Sequence, residues 1–400
     1  MVLSKRWRFV WTMLPKLDYT ENSEGEKSVW DFLDKSLQLH RAPSLERLRI
    51  HLGQQCPVDV DVGKWVLNAV DRCVRELILE IRFIPTADPT SLPKSLYTSK
   101  ALVKLTLWGE ILIHVPSSAY LPFLESLVLA KVMYKDQDSH VKLLSSCPVL
   151  RYLLVCRNKS DNVTRFTVKL PSLRKLTYMD FPPHICNAHS GRSLVIDSPG
   201  LNYVDIFDLG GYCSCSIQNM PRLDVATVMP RLDVASVSAA KFGFQPTNKF
   251  LRSFSSVRCL DLALKEVACC SAINFPRLIE FMLRTYYSDN WLKPLMLLLH
   301  NAPKLKALKI TSACDEHPLS WNQPSSVPGC LLSHFEIFKW KNFGGSREEK
   351  QFLAYILANS NCLKTVGISL RPSKNDEEKR KIMEDVESMY RVSASSQLLF

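Results

Sequence analysis

The 400-residue sequence contains little glycine and no long apolar run. Its 13 glycines form no phosphate-binding loop of the G-x-x-x-x-G-K-[ST] type, and neither G-x-S-x-G nor H-E-x-x-H occurs. These absences give no support to a nucleotide-binding enzyme, a serine hydrolase or a zinc peptidase. We therefore expect a protein with no catalytic site and no cofactor. No stretch approaches the roughly 18 apolar residues of a membrane span, so we also expect no membrane contact.

The 13 cysteines lack the pattern of a disulfide framework. Only Cys213 with Cys215 and Cys269 with Cys270 lie close together, and most of the others stand among apolar residues. Such cysteines are typical of reduced, buried thiols. The basic N-terminus is followed by an apolar run that stops at Pro15, so it does not resemble a secretory signal. We expect a cytoplasmic or nuclear protein.

One part of the sequence contains several residues of the types that bind metal ions. His184, Cys186 and His189 lie close together, with Cys213 and Cys215 further on. A structural zinc site usually takes its ligands from two well-spaced pairs, and this spacing matches no such pattern. We favour variable loop residues and predict no metal site.

The sequence does contain one apolar trio, x-L-x-x-L-x-L, many times. Its last two apolar positions have the two-residue period of a β-strand, and the trio recurs every 20 to 30 residues or so, as in leucine-rich repeats. The trios are Leu45/Leu48/Ile50, Val74/Leu77/Leu79, Leu102/Leu105/Leu107, Leu124/Leu127/Leu129, Leu150/Leu153/Val155, Leu173/Leu176/Tyr178, Leu201/Val204/Ile206, Val257/Leu260/Leu262, Leu278/Phe281/Leu283, Leu305/Leu308/Ile310, Leu332/Phe335/Ile337 and Leu363/Val366/Ile368.

Several trios follow a helix-like segment. Apolar residues precede them at helical spacing at Leu143, Leu298 and Ile356, and Pro148 and Pro303 end two of these segments because proline cannot continue the helical hydrogen bonds. The order helix, turn, strand predicts an α/β fold. Specifically, we expect a leucine-rich-repeat solenoid, or horseshoe, with a parallel sheet on the concave face and helices on the outer face.

A near-perfect duplication, MPRLDVATV at 220–228 and MPRLDVASV at 229–237, lies between the trios of Val204 and Leu260. Each copy is able to supply a strand. Anchoring on Leu232 divides this gap evenly, whereas Leu223 divides it unevenly. We therefore assign the strand to the second copy and expect the first copy to loop out.

The N-terminus resembles the last part of an F-box, whose third helix typically reads V-L-S-x-R-W-R-x-x-W before a leucine-proline pair. The chain has VLSKRWRFVW at 2–11 and Leu14-Pro15. The leucine-proline helices that open an F-box are missing before Met1. The resemblance implies binding to a Skp1-type adaptor through Leu3, Trp7, Trp11 and Leu14. Alternatively, the tryptophans, which lie at i and i+4, pack within the chain against the first repeat, which we favour.

Downstream, the chain resembles the plant F-box proteins that carry leucine-rich repeats and a C-terminal FBD segment. The phrases LPKSLYTSKAL at 92–102 and SSCPVL at 145–150 are typical of them, as is the C-terminal part at 332–340, 348–357, 362–364, 377–389 and 397–400. The resemblance divides the chain into an F-box remnant at 1–20, a repeat region at 21–320 and an FBD domain at 321–400, which we expect to form an α/β cap over the last repeat.

The formal net charge of +12 raises the question of nucleic acid. Around the strand anchors, however, seven basic residues oppose seven acidic ones on the predicted concave face, whereas a phosphate-binding groove should carry one sign. We predict no nucleic acid partner. The same face carries residue types common at protein interfaces, although edge packing is an equally good interpretation for any one of them. The predicted target-binding residues are Trp108, Tyr152, Tyr203, Asp205, Phe207, Asp261, Arg284 and Phe338.

Taken together, these features predict a protein-binding scaffold. The resemblance implies the substrate-recognition subunit of a Skp1-cullin-F-box ubiquitin ligase, with an unidentified target protein as its second partner. The alternative is a stand-alone leucine-rich-repeat interaction protein that is no longer coupled to a ligase. A third hypothesis is that further residues precede Met1 in the cell.

Overall fold

The computed structural model describes residues 10–21, 28–57, 59–82, 88–157, 161–180, 192–208, 214–218, 220–230, 251–263, 273–285, 291–312 and 321–400. The strands of this part of the chain are β1 (Lys16–Thr20), β2 (Arg47–Leu52), β3 (Glu76–Ile81), β4 (Thr90–Ser91), β5 (Lys104–Gly109), β6 (Ile111–Ile113), β7 (Ser126–Ala130), β8 (Met133–Tyr134), β9 (Tyr152–Cys156), β10 (Arg165–Val168), β11 (Lys175–Asp180), β12 (Ser193–Asp197), β13 (Tyr203–Asp208), β14 (Ser214–Gln218), β15 (Val225–Pro230), β16 (Cys259–Ala263), β17 (Glu280–Thr285), β18 (Ala307–Ser312), β19 (Ile337–Phe343), β20 (Thr365–Leu370) and β21 (Gln397–Leu399).

Helices connect some of these strands. The α-helices of the described ranges are α1 (Val29–Leu39), α2 (Val62–Asp71), α3 (Ser139–Ser145), α4 (Leu292–His300), α5 (Gly329–Ser333), α6 (Arg347–Asn359) and α7 (Asp376–Glu387), with short 3-10 helices at Val10–Met13 and Lys94–Thr98. Within those same ranges, no helix is long and apolar enough to cross a membrane.

The chain forms two compact units. The first comprises residues 1–201 and 213–219, and the second comprises residues 202–212 and 220–400. In the first unit, β1, β2, β3, β5, β7, β9 and β11 are successive neighbours in a parallel sheet, and in the second, β13 and β15 to β21 follow one another in the same way. A long parallel sheet built strand by strand from sequence repeats confirms the leucine-rich-repeat solenoid fold.

Most strands of the main sheet bury alternate side chains. In the first unit the middle leucines of the trios stand opposite one another from strand to strand and are almost fully buried: Leu48, Leu77, Leu105, Leu127, Leu153 and Leu176. The intervening residues are half-buried or exposed, as in the alternating pattern of β2 and β3. Because strand side chains alternate between two faces, the sheet has one buried face and one open face. We call the second of these the open face.

The connections behind the sheet are only partly helical. The predicted lead-in helices at Leu143, Leu298 and Ile356 are present as α3, α4 and α6. Helices α1 and α2 lie in two further connections, whereas two three-stranded parallel sheets, β4-β6-β8 and β10-β12-β14, occupy others in which we expected helices. The segment Ile111–Ile113 alternates buried and half-buried residues, which is the period of a strand.

The strand of the duplicated segment lies in the first copy, so our assignment to the second copy was wrong. In strand β15, Ala226 stands opposite Val204 of β13 on one side and opposite Leu260 of β16 on the other. Leu223, which opens this trio, is fully buried. Since β15 and β16 are direct neighbours, the sheet has no place for another strand between them.

The strand was assigned to the wrong copy because Leu232 is not at the anchor position of its repeat. It corresponds to Leu223, the first residue of a trio, whereas the anchor that pairs across the sheet is the middle residue. The even division of the gap was therefore measured from the wrong position. Residues 231–237 of the second copy lie outside the described residues.

The register of β19 also differs from the prediction. Leu308 pairs with Phe338, and Phe338 pairs with Val366, so the trio is Phe335/Phe338/Trp340 rather than Leu332/Phe335/Ile337. Phe338 is 0% exposed and lies in the core, which corrects its predicted place on the concave face. Both trios fit the apolar pattern, and the larger aromatic side chains are the ones that are buried.

An aromatic core fills the C-terminal part of the second unit. Trp340 contacts Trp291, Phe343 and Phe352 at ring-centroid distances of 5.7, 4.9 and 5.8 Å, and its indole N–H donates to the Ser312 hydroxyl at 2.8 Å. Apolar residues of the expected FBD cap are buried: Phe352, Ile356, Leu357, Val366 and Ile368. A capping box closes the N-terminus of α6, because Ser346 and Glu349 each accept the other's backbone N–H.

The corrected register can be tested by substitution. We expect Phe338→Ala to lower the free energy of unfolding by about 3–5 kcal/mol, because it leaves a cavity in the aromatic core. Its neighbour Lys339 is exposed, and Lys339→Ala should change stability by no more than about 0.5 kcal/mol. Urea unfolding followed by tryptophan fluorescence measures both. Equal effects of the two substitutions would contradict this register.

Candidate functional site

In the first unit, the open face is centred on Trp108. In the strand register this tryptophan stands between Glu80 of β3 and Ala130 of β7. Two cations flank its ring, the guanidinium of Arg82 at 5.5 Å and the ammonium of Lys131 at 6.0 Å from the ring centroid. Cations at this distance are attracted to the face of an indole. The half-buried ring therefore lies on the open face with positive charge beside it.

The backbone after Trp108 is fixed by a glycine. Gly109 has a φ of 101°, and a Cβ at this position would lie 1.8 Å from the carbonyl oxygen of Ile81. A left-handed conformation with such a close backbone approach requires glycine. It holds the end of β5 against β3 and so fixes the strand end from which Trp108 projects.

Apolar side chains extend this part of the open face. Ile78, Val128 and Leu154 are half-buried residues of β3, β7 and β9, and Tyr152 is 51% exposed. Aromatic and aliphatic side chains of this kind supply most of the contact area in protein interfaces. The open face of the first unit is therefore suited to a protein partner.

Near these apolar side chains, charged residues of the first three strands form ion pairs with one another. The guanidinium of Arg49 lies 3.1 Å from Glu80 and 3.9 Å from Asp18, so it links β1, β2 and β3. Each of these residues is at least partly exposed, and such pairs contribute on the order of 0–1 kcal/mol. They order the surface more than they stabilise the fold.

The open face of the second unit begins with a polar aromatic group on β13. Tyr203, Asp205 and Phe207 are all half-buried. Burial raises the pKa of the Tyr203 phenol, and the nearby Asp205 carboxylate raises it further. The phenol therefore stays protonated at neutral pH and is able to donate a hydrogen bond.

Two cross-strand ion pairs follow on the next strands. The guanidinium of Arg284 donates to both oxygens of Asp261, at 3.1 and 2.8 Å, and the ammonium of Lys309 donates to Glu280 at 2.5 Å. Bidentate pairs between arginine and carboxylate are among the more favourable surface pairs. These four charges satisfy each other within the protein.

The strands place seven of the eight predicted target-binding residues on the open face. In the first unit these are Trp108 and Tyr152, and in the second unit they are Tyr203, Asp205, Phe207, Asp261 and Arg284. Phe338 is the exception and belongs to the core. That they bind a target stays a prediction.

Sequence reasoning missed four basic residues of these faces. Arg82 and Lys131 directly follow their strands, just outside the positions that we counted. Lys339 and Lys341 were missed because the shifted register of β19 assigned their positions to the wrong residues. With the observed registers, eight basic residues oppose five acidic ones at the positions counted, so the predicted balance of charge was wrong: Arg47, Arg49, Lys104, Lys175, Arg284, Lys309, Lys339 and Lys341 against Glu76, Glu80, Asp205, Asp261 and Glu280.

The predicted adaptor-binding residues lie only partly in the described ranges. Leu3 and Trp7 fall outside them. Trp11 is half-buried in the 3-10 helix, while Leu14 just after it is 46% exposed. The carbonyl of Thr12 accepts hydrogen bonds from the backbone of Arg41 and Ala42, at 2.7 and 3.1 Å. This segment is thus attached to the first repeats and presents apolar side chains outward: Val10, Met13 and Leu14.

A buried polar cluster in the first unit is a second candidate site. The guanidinium of Arg157 donates to Asp161 at 2.8 Å and to the Tyr178 hydroxyl at 3.2 Å, and Arg192 donates to Asp180 at 2.8 Å. Arg157 and both carboxylates are almost fully buried. Breaking a buried pair typically costs 3–5 kcal/mol or so. Because no substrate reaches these groups, the cluster is structural.

His140 packs against this cluster as a neutral ring. It stacks on Phe166 with the ring centroids 4.4 Å apart, and its Nε2 accepts the backbone N–H of Thr167 at 2.9 Å. Burial lowers the pKa of His140 to about 4, and the positive charge of Arg157 lowers it further. His140 is therefore a core residue rather than an acid-base catalyst at neutral pH.

The described residues offer little for nucleophilic or metal chemistry. Burial raises the pKa of the Cys147 and Cys330 thiols to about 11, so both stay protonated and poorly nucleophilic at neutral pH. Within the described ranges, no three His, Cys, Asp or Glu side chains are grouped as metal ligands. His184, Cys186, His189 and Cys213 lie outside these ranges.

Comparison with known families gives the class of the protein. The FBD family model matches residues 323–368, which include β19 and most of β20. A second model, described as the LRR repeats of FBD-associated F-box protein At5g56370, matches residues 62–265. The chain thus combines leucine-rich repeats with an FBD segment.

Individual relatives identify the family. A putative FBD-associated F-box protein of Arabidopsis thaliana is 46% identical, over 100% of this chain and 91% of the relative. A putative F-box/FBD/LRR-repeat protein of the same plant is 47% identical, over 100% of this chain and 85% of the relative. A further F-box/FBD/LRR-repeat protein is 36% identical over 100% of this chain and 93% of its own length. This chain belongs to the plant F-box/FBD/LRR-repeat family, as its sequence motifs indicated.

The buried histidine predicts a pH dependence of stability. The folded-state pKa of His140, about 4, lies below the value of about 6.5 of an unfolded histidine, so the unfolded chain binds the proton first. The stability that the neutral His140 contributes is therefore fully present above pH 6.5. As the pH falls from 6.5 towards 4, the free energy of unfolding decreases by at most about 3 kcal/mol.

We expect His140→Gln to remove this part of the pH dependence, because a neutral amide does not titrate. The measurement is urea unfolding of both proteins from pH 7 to pH 4. Parallel stability curves for the two proteins would show that His140 titrates normally in the folded state.

Proposed function

We propose that this protein is the target-recognition subunit of a Skp1-cullin-F-box type ubiquitin ligase and binds a protein target on the open face of its sheet. Membership of the F-box/FBD/LRR-repeat family carries the proposal. The open face of each unit supports it, because it carries half-buried aromatic and aliphatic side chains. Along the strands these alternate with buried core residues.

The chemistry of the open face favours binding over catalysis. Trp108 has cations near its ring, and Asp261 and Arg284 form a bidentate pair. Neither arrangement presents a nucleophile beside a base, which is one of the usual ways to activate a nucleophile for covalent catalysis. Ubiquitin transfer would then depend on the other subunits, while this chain selects the protein that is modified.

The N-terminal segment supports a link to an adaptor. Val10, Met13 and Leu14 are 45%, 54% and 46% exposed, although each is a large apolar side chain. Clustered apolar side chains on a surface often mark a contact with another protein. We propose that this cluster lies at the contact with a Skp1-type adaptor.

Capture of a purified Skp1-type adaptor tests this link. We expect the chain to retain the adaptor and Leu14→Asp to weaken retention about tenfold or more, because it places a charge where an apolar side chain would be buried. Leu67→Asp is the matched control, since Leu67 of α2 is 43% exposed and lies outside the proposed contact. Biolayer interferometry with immobilised adaptor gives the affinities.

A version with a complete F-box grafted before Val2 completes this experiment. If only the graft binds the adaptor, the chain acts as an interaction scaffold separate from the ligase, and the proposed role is wrong. If the chain and the graft bind alike, the segment around Leu14 is sufficient. Equal binding by Leu14→Asp and Leu67→Asp would place the contact elsewhere.

Target capture tests the role of the open face in the first unit. We expect Trp108→Ala to lower retention of bound proteins from a plant extract roughly 30-fold, as for a tryptophan at the centre of an interface. Phe123→Ala is the control, because Phe123 is 58% exposed and lies in the turn before β7. Quantitative mass spectrometry of the retained proteins is the readout, and an identical profile for both variants counts against Trp108.

A further inference from the structure

Two lysines of β19 lie on the open face without a charged partner among the described residues. Lys339 and Lys341 alternate with the buried residues Phe338 and Trp340, and both are exposed. Neither forms an ion pair with any residue in the described part of the chain. By contrast, Lys309 on the neighbouring strand is already bound to Glu280.

Three of the four residues beside these lysines are small and uncharged, and the fourth, Lys309 next to Lys339, is paired with Glu280. Thr311 of β18 and Ser369 of β20 stand next to Lys341 in the register, and Gly367 stands next to Lys339. A Cβ on Gly367 would lie 3.3 Å from Cγ of Lys339, so the glycine leaves space for the lysine stem. The two ammonium groups therefore face an open surface.

Two further lysines lie directly before β18 and β20, beside the surface around Lys339 and Lys341. Lys306 and Lys364 share the single carboxylate of Glu336, at 3.2 and 2.7 Å. The basic surface is formed by five lysines and two glutamates: Lys306, Lys309, Lys339, Lys341 and Lys364 with Glu280 and Glu336. It keeps a net positive charge after every ion pair among these residues is counted.

We propose that this basic surface binds a segment of the target protein that is rich in aspartate and glutamate. The proposal rests on the proposed function and specifies the chemistry of its target. Lys339 and Lys341 lie within residues 323–368, which match the FBD family model. The FBD segment thus recognises the target as well as covering the end of the repeats.

An acidic protein segment fits this surface better than a nucleic acid. Neighbouring strands are about 4.8 Å apart, so β18 to β20 span only about 10 Å, whereas a nucleic acid needs a longer track of positive charge. On the strands that follow in one direction, Asp261 and Glu280 are paired with Arg284 and Lys309, so the unpaired positive charge does not continue there. Half-buried Met282 and Ile337 add apolar contacts suited to a peptide.

The binding should depend strongly on salt. The ammonium groups of Lys339 and Lys341 are exposed, and interactions between exposed charges are screened within about 10 Å at 0.1 M salt. Charges of this kind chiefly raise the rate of association and select partners of opposite charge. Their removal should therefore weaken acidic ligands selectively.

Selection from a phage-displayed library of random short peptides tests the proposal. The immobilised full chain is the bait, in parallel with the double variant Lys339→Glu/Lys341→Glu. The control bait is Lys293→Glu, a charge reversal at an exposed residue of α4 away from the open face. We expect the chain and the control to enrich peptides rich in aspartate and glutamate, and the double variant to lose this enrichment.

Affinities of the enriched peptides complete the test. A synthetic peptide should bind the double variant about tenfold or more weakly than the chain, and replacing its acids by the corresponding amides should have the same effect. Circular dichroism and the melting temperature must match among the three proteins; if the double variant unfolds, Lys339→Gln/Lys341→Gln replaces it.

Three outcomes would overturn the proposal: no acidic enrichment on the chain, unchanged enrichment on the folded double variant, or displacement of the peptide by an equally tight single-stranded oligonucleotide. Adaptor capture by the same variants distinguishes this failure from failure of the proposed function. If the unsubstituted chain retains the adaptor but shows no acidic preference, the ligase role stands and only the acidic target is rejected.

Discussion

The burial of one anchor residue per strand, in register with the anchors of its neighbours, is the constraint on which the rest of this structure depends. Leu77, for example, is fully buried and stands opposite Leu48 on one side and Leu105 on the other. Since side chains alternate between the faces of a strand, each buried anchor also fixes which of its neighbours are exposed. The core and the binding surface are therefore specified together, and an error in one is an error in the other.

This coupling explains how far the sequence predicts the fold and the candidate site. Where only one apolar trio fits each strand, as from Leu48 to Leu176, the predicted strands and outward residues are correct. Where two apolar trios overlap, as around Phe335, the pattern is ambiguous and only pairing with β18 and β20 decides. Because of that single ambiguity, Phe338 was predicted on the surface and Lys339 was not recognised as a residue of the open face.

Other features could not be read from a local pattern. The cluster of Arg157, Asp161, Asp180 and Arg192 joins residues from separate loops and strands, and none of its members is distinguishable in sequence from an exposed charge. The short sheets behind the main sheet also replace helices where the connecting segments alternate apolar residues over only three to five positions. Long-range contacts decide both features, because local preferences of so few residues are weak.

Charge pairing within the open face limits what a partner is able to use. The Asp261–Arg284 and Glu280–Lys309 pairs already satisfy their charges, so a ligand that bound any of these groups would first have to replace an existing interaction. Lys339 and Lys341 carry no such cost, and the half-buried aromatic side chains offer contact area without rearrangement. Selectivity in the second unit should therefore arise from the charges that have no partner within the described ranges, rather than from the number of charges on the surface.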